Sequence, residues 1–320
     1  MGKYFIKMGE RNIKQLAFLF PGQGSQKVGM GLDLFNNTEI GNTLYRQANN
    51  ILETDISNIS FNGPDEILKQ TENTQPALFI QSVIIAELLK EIDILPSAVA
   101  GHSLGEFSAL VCSGYLSFED GLKLVKIRSR GMSKSCKINP GTMAAIIGLD
   151  QETVTQICND ISSSGIVQPA NFNSQNQIVI SGDISAVKEA MNQAKDKGAL
   201  KTVELNVSGA FHSPLMNPAK NELKQFINDV ELSDSEIPIY MNYTGEFTND
   251  FAEIKKNIIQ QLENPVMWVQ TIQNMIESGV ADFYEVGAGK VLTGLNRRID
   301  RTTTTIGIES HDDINQFTTV

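Results

Sequence analysis

Short apolar runs alternate with longer stretches of helical spacing along most of the chain. LAFLF at 16–20 reads as a buried strand, and it ends in a glycine-rich loop, PGQGSQKVGMG. A helix start is expected at Thr74-Gln75-Pro76, with proline near the first turn and apolar residues following to Leu89. Ser97 to Ala100 forms a further short strand, followed at once by GHSLG and the helical EFSALVCSG. This alternation predicts parallel strands joined by crossover helices. The middle of the chain has another rhythm: TMAAIIGL (142–149), a helix from Gln151, IVQPANF (166–172), QIVISG (177–182), a helix from about Ile184 to Lys197, and KTVELNV (201–207). That order is β-α-β-β-α-β, the split βαβ or ferredoxin-like pattern, with NSQNQ as the hairpin connection. The α/β pattern resumes after His212, with IPIYMNY (237–243) and DFYEVG (282–287) as strands, and the polar tail after Ile308 is expected to fray. The pattern predicts an α/β protein whose large subdomain, residues 1–138 and 209–320, carries an inserted ferredoxin-like subdomain at 139–208.

Of the 320 residues, 41% are hydrophobic and 20% charged, which excludes disorder along the whole chain. Twenty-six basic against thirty-seven acidic side chains leave a net charge of −11. A nucleic-acid partner is disfavoured, because phosphate contacts need a basic surface; a local basic patch for a phosphorylated ligand remains open. Cys112, Cys136 and Cys158 are odd in number and lack metal-ligand spacing, so neither a disulfide framework nor a zinc site is expected. The first apolar run, Leu16 to Phe20, is too short for a signal core or membrane span, and Ile6 stands where a myristoylation motif wants Ser or Thr. The expectation is a cytoplasmic protein without a membrane partner.

GHSLG at 101–105 is a G-x-S-x-G sequence between an expected strand and an expected helix, the context a nucleophile elbow requires. Flanking glycines permit the sharp turn, and Ser103 would stand at a helix N-terminus where free N–H groups, notably that of Leu104, can face an oxyanion. Three histidines compete for the role of base. His102 sits inside the elbow, with its side chain expected to point away from Ser103. His311 lies in the polar ESHDD and reads as a solvated imidazole. His212 remains, as a base or as a structural histidine. Arg128 follows Leu124 and Val125 by four and three residues, which puts it on the apolar face of its helix. A buried arginine needs a counter-anion, supplied by a structural acid or by a substrate carboxylate. Arg130 falls on a different face. Gln23 belongs to a glycine-rich turn that matches neither a dinucleotide fingerprint nor a P-loop, and GAGK at 287–290 is no P-loop either. Lys123, Lys126, Arg130, Lys134 and Lys137 trace one helical stripe, read as a solvated face.

PGQGSQKVGMG, TQPAL, GHSLGEFSALVCSG, AAIIGL, NFNSQNQIVISG, GAFHSPLM and EVGAGKVLTGL, in this order, resemble the malonyl-CoA:acyl carrier protein transacylases over about Leu16 to Ile299. The resemblance implies an α/β-hydrolase-like large subdomain carrying the ferredoxin-like one. It implies Ser103 as nucleophile and His212 as base, with the N–H groups of Gln23 and Leu104 as the oxyanion hole. Arg128 would bind the malonyl carboxylate. Phe211 marks a pocket for a small extender, and Asn171 and Asn173 line the cleft or serve as strand-end turn residues. An ordinary α/β-hydrolase places an acid between its serine and a late histidine. Here His212 comes early, and the resemblance assigns its orientation to a backbone carbonyl, that of Met267 in NPVMW, where relatives often carry Gln. Arg297, Arg298 and Lys201 are the candidates for carrier or coenzyme A contact. No metal or redox cofactor is implied, and a monomer is expected. The implied activity is malonyl transfer from malonyl-CoA to the phosphopantetheine thiol of acyl carrier protein, supplying fatty acid synthesis. The alternatives are a trans-acting acyltransferase of a polyketide assembly line and an acyl hydrolase of the same fold.

Overall fold

The computed structural model describes residues 15–318; the reading of the first fourteen residues lies outside them. A six-stranded sheet is built from β1 (Gln15–Phe20), β2 (Ala98–Gly101), β7 (Ile239–Tyr240), β8 (Phe247–Thr248), β9 (Val280–Val286) and β10 (Thr304–Ile308), in the order β10-β9-β1-β2-β7-β8. All neighbours are parallel except β7 and β8, which form an antiparallel hairpin. Central β1 is apolar at successive positions because both of its faces are covered. Phe18 and Phe20 enter one core, Ala17 and Leu19 the other, as the two-residue period of a strand demands.

The second sheet contains β3 (Thr142–Ile147), β4 (Val167–Ser174), β5 (Gln177–Gly182) and β6 (Lys201–Glu204), in the antiparallel order β4-β5-β3-β6. The helices Gln151–Ile161 and Ile184–Asp196 connect it as the β-α-β-β-α-β reading expects. Ala144, Ile146, Ile178 and Ile180 pack with these helices, while Met143, Ala145 and Val179 join the large core. The small sheet therefore faces the rest of the protein with one side, and the cleft opens between them.

Three expectations change. The helix begins at Thr71 rather than Thr74 and holds Pro76 inside it, because every side chain from Thr74 to Ala86 is buried and that packing outweighs the lost backbone bond. Only Ile239–Tyr240 of the 237–243 run is strand, since the chain turns back through Met241 and Glu246. The tail does not fray at Ile308: Ser310 and Asp313 form a capping box that starts the helix His311–Asn315. Among the described residues, no helix is long and apolar enough to cross a membrane.

Candidate active site

β2 ends at Gly101 and the helix Gly105–Cys112 begins four residues later. Ser103 makes the turn with φ 53°, in the left-handed region that non-glycine residues rarely adopt. The flanking glycines are obligatory. A Cβ on Gly101 would lie 1.9 Å from the Gly105 carbonyl carbon, and one on Gly105 would lie 2.0 Å from the Phe20 oxygen. The strained turn is held from outside by Asn242, whose Oδ1 accepts from Ser103 N–H (2.7 Å) and whose Nδ2 donates to the Gly101 oxygen (2.5 Å).

His212 comes from the segment between β6 and the helix Asn217–Ile227, also at positive φ (56°). Its Nε2 lies 2.8 Å from Ser103 Oγ, and its Nδ1 lies 2.8 Å from the main-chain oxygen of Gln261. A carbonyl only accepts, so Nδ1 carries the proton and Nε2 presents its lone pair to the serine. Burial, reinforced by the Arg128 charge, pushes the His212 pKa down to about 3, so the free imidazole is neutral around pH 7. Met267 does not orient this ring. Gln261 is the last residue of the helix Phe251–Gln261, where the final carbonyls have no partner within the helix and are free to accept. Met267 instead precedes the helix Trp268–Glu277 and packs against the small subdomain's core.

Arg128 is 1% exposed on the inward face of the helix Phe118–Ile138. Its Nη1 donates to Gln75 Oε1 (2.8 Å), and its Nη2 donates to Gln261 Oε1 (2.8 Å) and Ser103 Oγ (3.0 Å). Among the described residues no acid forms an ion pair with it, and its Nε has no hydrogen-bond partner. Burial lowers its pKa to about 10, which still leaves a full positive charge beside the serine at neutral pH.

Ser103, His212, Gln23, Phe211 and Asn171 line one cavity of about 560 Å³ between the two sheets. The Gln23 loop lies against the elbow, since a Cβ on Gly22 would meet the His102 oxygen at 2.5 Å. Gln23 is pinned through its side chain, which donates to Thr71 Oγ1 and accepts from Gln75 Nε2. Leu104 caps the elbow helix, so its N–H stands outside the helical ladder. Asn173 does not line the cavity although it stands two residues from Asn171; its Oδ1 lies 2.8 Å from His102 Nε2, at the point where the register of β4 shifts between Phe172 and Ser174. His102, lodged against the edge of the Trp268 ring, thus points away from Ser103 Oγ. His311 opens the C-terminal helix with Asn315 as its ring's partner.

Arg297, Arg298 and Lys201 are exposed and stand outside this lining. Arg298 donates to Gln177, and Gln177, Ile147 and Lys201 are register partners across β5, β3 and β6, so Lys201 and Arg298 share one end of the small sheet. Three of the five cations of the 123–137 stripe are paired: Lys123 meets Glu119, Lys126 meets Glu53, and Lys134 meets Glu222. Gln75, Asn242, Gln261 and Glu106 are site residues that the sequence reading missed. The helix-end position of Gln261 is the one signal that pointed to a free carbonyl.

The sequence model of the acyl transferase domain matches residues 17–310. The chain belongs to the acyl transferase domain family. Among members of this acyl transferase family, the malonyl CoA-acyl carrier protein transacylase of Bacillus subtilis (strain 168) is 41% identical over 303 residues, 94% of this chain and 96% of that protein. The Staphylococcus aureus (strain COL) protein of the same name is 39% identical over 94% of this chain and 98% of its own length. The Coxiella burnetii malonyl CoA-acyl carrier protein transacylase has a TM-score of 0.91 at 38% identity, covering 95% of this chain and 96% of that one. A malonyl-transacylase solved in complex with its type II PKS acyl-carrier protein gives a TM-score of 0.91 at 36% identity, over 94% of this chain and 98% of that one. The mixed α/β architecture with a second, antiparallel sheet is thus the one these acyl transferases have.

Proposed function

We propose that this acyltransferase moves the malonyl group from malonyl-CoA to the phosphopantetheine thiol of an acyl carrier protein through a seryl ester on Ser103. The observation that carries the reading is Arg128, a buried cation without an acidic ion-pair partner among the described residues, 3.0 Å from the serine oxygen. A carboxylate at the far end of a three-carbon acyl group supplies the missing anion, bidentately if it reaches Nε and an Nη. An esterase for neutral acyl chains has no use for that charge. Phe211 at the cavity wall suits a small extender.

His212 Nε2 takes the Ser103 proton as Oγ attacks the thioester carbonyl, and the N–H groups of Gln23 and Leu104 hold the oxyanion. The C–S bond breaks, and coenzyme A leaves as the thiol with the proton from His212. The carrier's thiol then gives its proton to His212, its sulfur attacks the ester, and Oγ recovers the proton as it leaves. Supply of fatty acid synthesis is the favoured context. The structural likeness to a transacylase bound to a type II PKS carrier supports polyketide supply as a second one.

Intact-mass spectrometry tests the reading. Malonyl-CoA should leave a malonyl adduct on Ser103, removed by a pantetheinylated carrier; a wild-type chain that takes no acyl group overturns it. Arg128→Ala should cut malonylation by roughly two orders of magnitude while acetylation from acetyl-CoA falls far less, because the malonyl carboxylate, which acetyl-CoA lacks, loses its partner. Equal losses for the two substrates would make Arg128 a structural residue.

A carrier protein that is itself acidic has to dock on a locally basic surface, because the whole chain carries −11. The exposed end of the small sheet with Arg298, Arg297 and Lys201 offers one. Reversing the charges of Arg297 and Arg298 should raise the carrier KM several-fold with the malonyl-CoA KM unchanged, and added salt should raise the wild-type carrier KM too. A carrier KM indifferent to both removes this surface from docking.

A further inference from the structure

Glu106 lies in the first turn of the elbow helix, fully buried, and none of the steps above uses it. Each side-chain or backbone group that bonds its carboxylate is a donor. Asn242 gives Oε1 its main-chain N–H (2.6 Å) and its Nδ2 (3.1 Å), and Gln261 gives Oε2 its Nε2 (2.7 Å). Three donors around one carboxyl group suit an ionised acid, because a protonated one would aim its O–H at another donor. Burial raises the Glu106 pKa to about 7, and these donors with the Arg128 charge act against that rise.

The carboxylate fixes the sense of the Gln261 amide. With Nε2 committed to Glu106 and to the Ser103 main-chain oxygen (2.9 Å), Oε1 faces Arg128 Nη2. One neutral amide thereby joins a buried anion to a buried cation that form no direct ion pair. We propose that Glu106 is a positioning residue whose carboxylate, through Gln261, aims the Arg128 guanidinium at the acyl carboxylate, and through Asn242 braces the Ser103 turn. The proposal rests on the acyl-transfer reading above.

Glu106→Gln keeps the shape and removes the anion. Its Oε1 still accepts from Asn242, so its new NH₂ meets Gln261 Nε2, donor against donor. Gln261 relieves this by rotating its amide, which turns an NH₂ toward Arg128, takes an acceptor from Nη2 and sets Oε1 against the Ser103 main-chain oxygen. The change at Ser103 is shared by both substrates, but acetyl-CoA has no carboxylate for Arg128 to read, so the larger loss falls on malonyl-CoA.

The experiment measures kcat and KM for acylation of Ser103 by malonyl-CoA and acetyl-CoA, in wild type, Glu106→Gln, Arg128→Met and the double variant. The malonyl-to-acetyl ratio of kcat/KM should fall about tenfold in Glu106→Gln, mostly through the malonyl-CoA KM, as befits one charge-assisted hydrogen bond. In the Arg128→Met background the same change should move the ratio by no more than about twofold. An equal fall for both acyl groups, no fall, or a tenfold effect that persists without Arg128 overturns the proposal. Should Glu106→Gln not fold, the double variant is expected to fold because no uncompensated buried charge remains, and its failure overturns the proposal as well. A wild type that is acylated while the variant's ratio is unmoved leaves the transfer reading standing and removes this one alone.

Discussion

In a Ser103→Ala chain, malonyl-CoA should leave the intact mass unchanged. The turn that lifts Ser103 out of the chain is built for one hydroxyl: glycines at 101 and 105 with no room for a Cβ, φ 53° at the serine, and the Asn242 amide bonding the main chain on its far side. His212 Nε2 has that single oxygen 2.8 Å away, so alanine leaves the base without a proton to take. Loss of the nucleophile in a comparable serine enzyme costs on the order of 10⁶ in turnover. Over a brief incubation the adduct should therefore fall from complete to undetectable. Full malonylation of this variant would sink the assignment of the nucleophile.

His212→Ala should slow acylation and carrier-dependent deacylation alike, each by about 10²–10⁴-fold, the usual worth of a positioned general base. Both half-reactions suffer because each needs one proton removed from a nucleophile, the serine hydroxyl in the first and the carrier thiol in the second. The ring is held in the required tautomer by the Gln261 carbonyl, and its low basicity comes from burial first and the Arg128 charge second. A substrate carboxylate on Arg128 offsets the second of these, so the base strengthens when the acyl group it serves is bound. Rapid-quench measurement of each half-reaction checks this. Unchanged rates, together with an inactive His311→Ala, would instead point to the residue order of an ordinary hydrolase.

The nucleophile was legible because an elbow writes itself into side chains: two glycines, a serine, an apolar strand before and an apolar helix after. The four-stranded unit was legible from strand and helix periods alone. β8 and β10 were not, because they are short outer strands; β10 reads TTIGI, with two threonines and a glycine in place of an apolar run. The orienter of His212 escaped for a different reason. A main-chain carbonyl has no residue type, and Met267 and Gln261 flank the same loop, so the choice between them needed the end of the helix in space. Arg128 could be placed on an inward face, yet its partners could not be foreseen. Gln75 and Gln261 lie 53 and 133 residues away and carry no charge to betray the pairing. The tail carries a signal of its own, since S-x-x-D at 310–313 spells a helix start.

A peptide carbonyl behind the catalytic imidazole has a consequence for which substrates the site tolerates. A serine enzyme that orients its histidine with an aspartate places a fixed negative charge within a few ångströms of the acyl group, where it repels any acyl chain ending in an acid. The Gln261 oxygen does the same mechanical work as a dipole, without a net charge and without a proton to gain as the medium turns acidic. Triad geometry is thereby separated from triad charge, and a dicarboxylic acyl group can sit where a conventional triad would push it out.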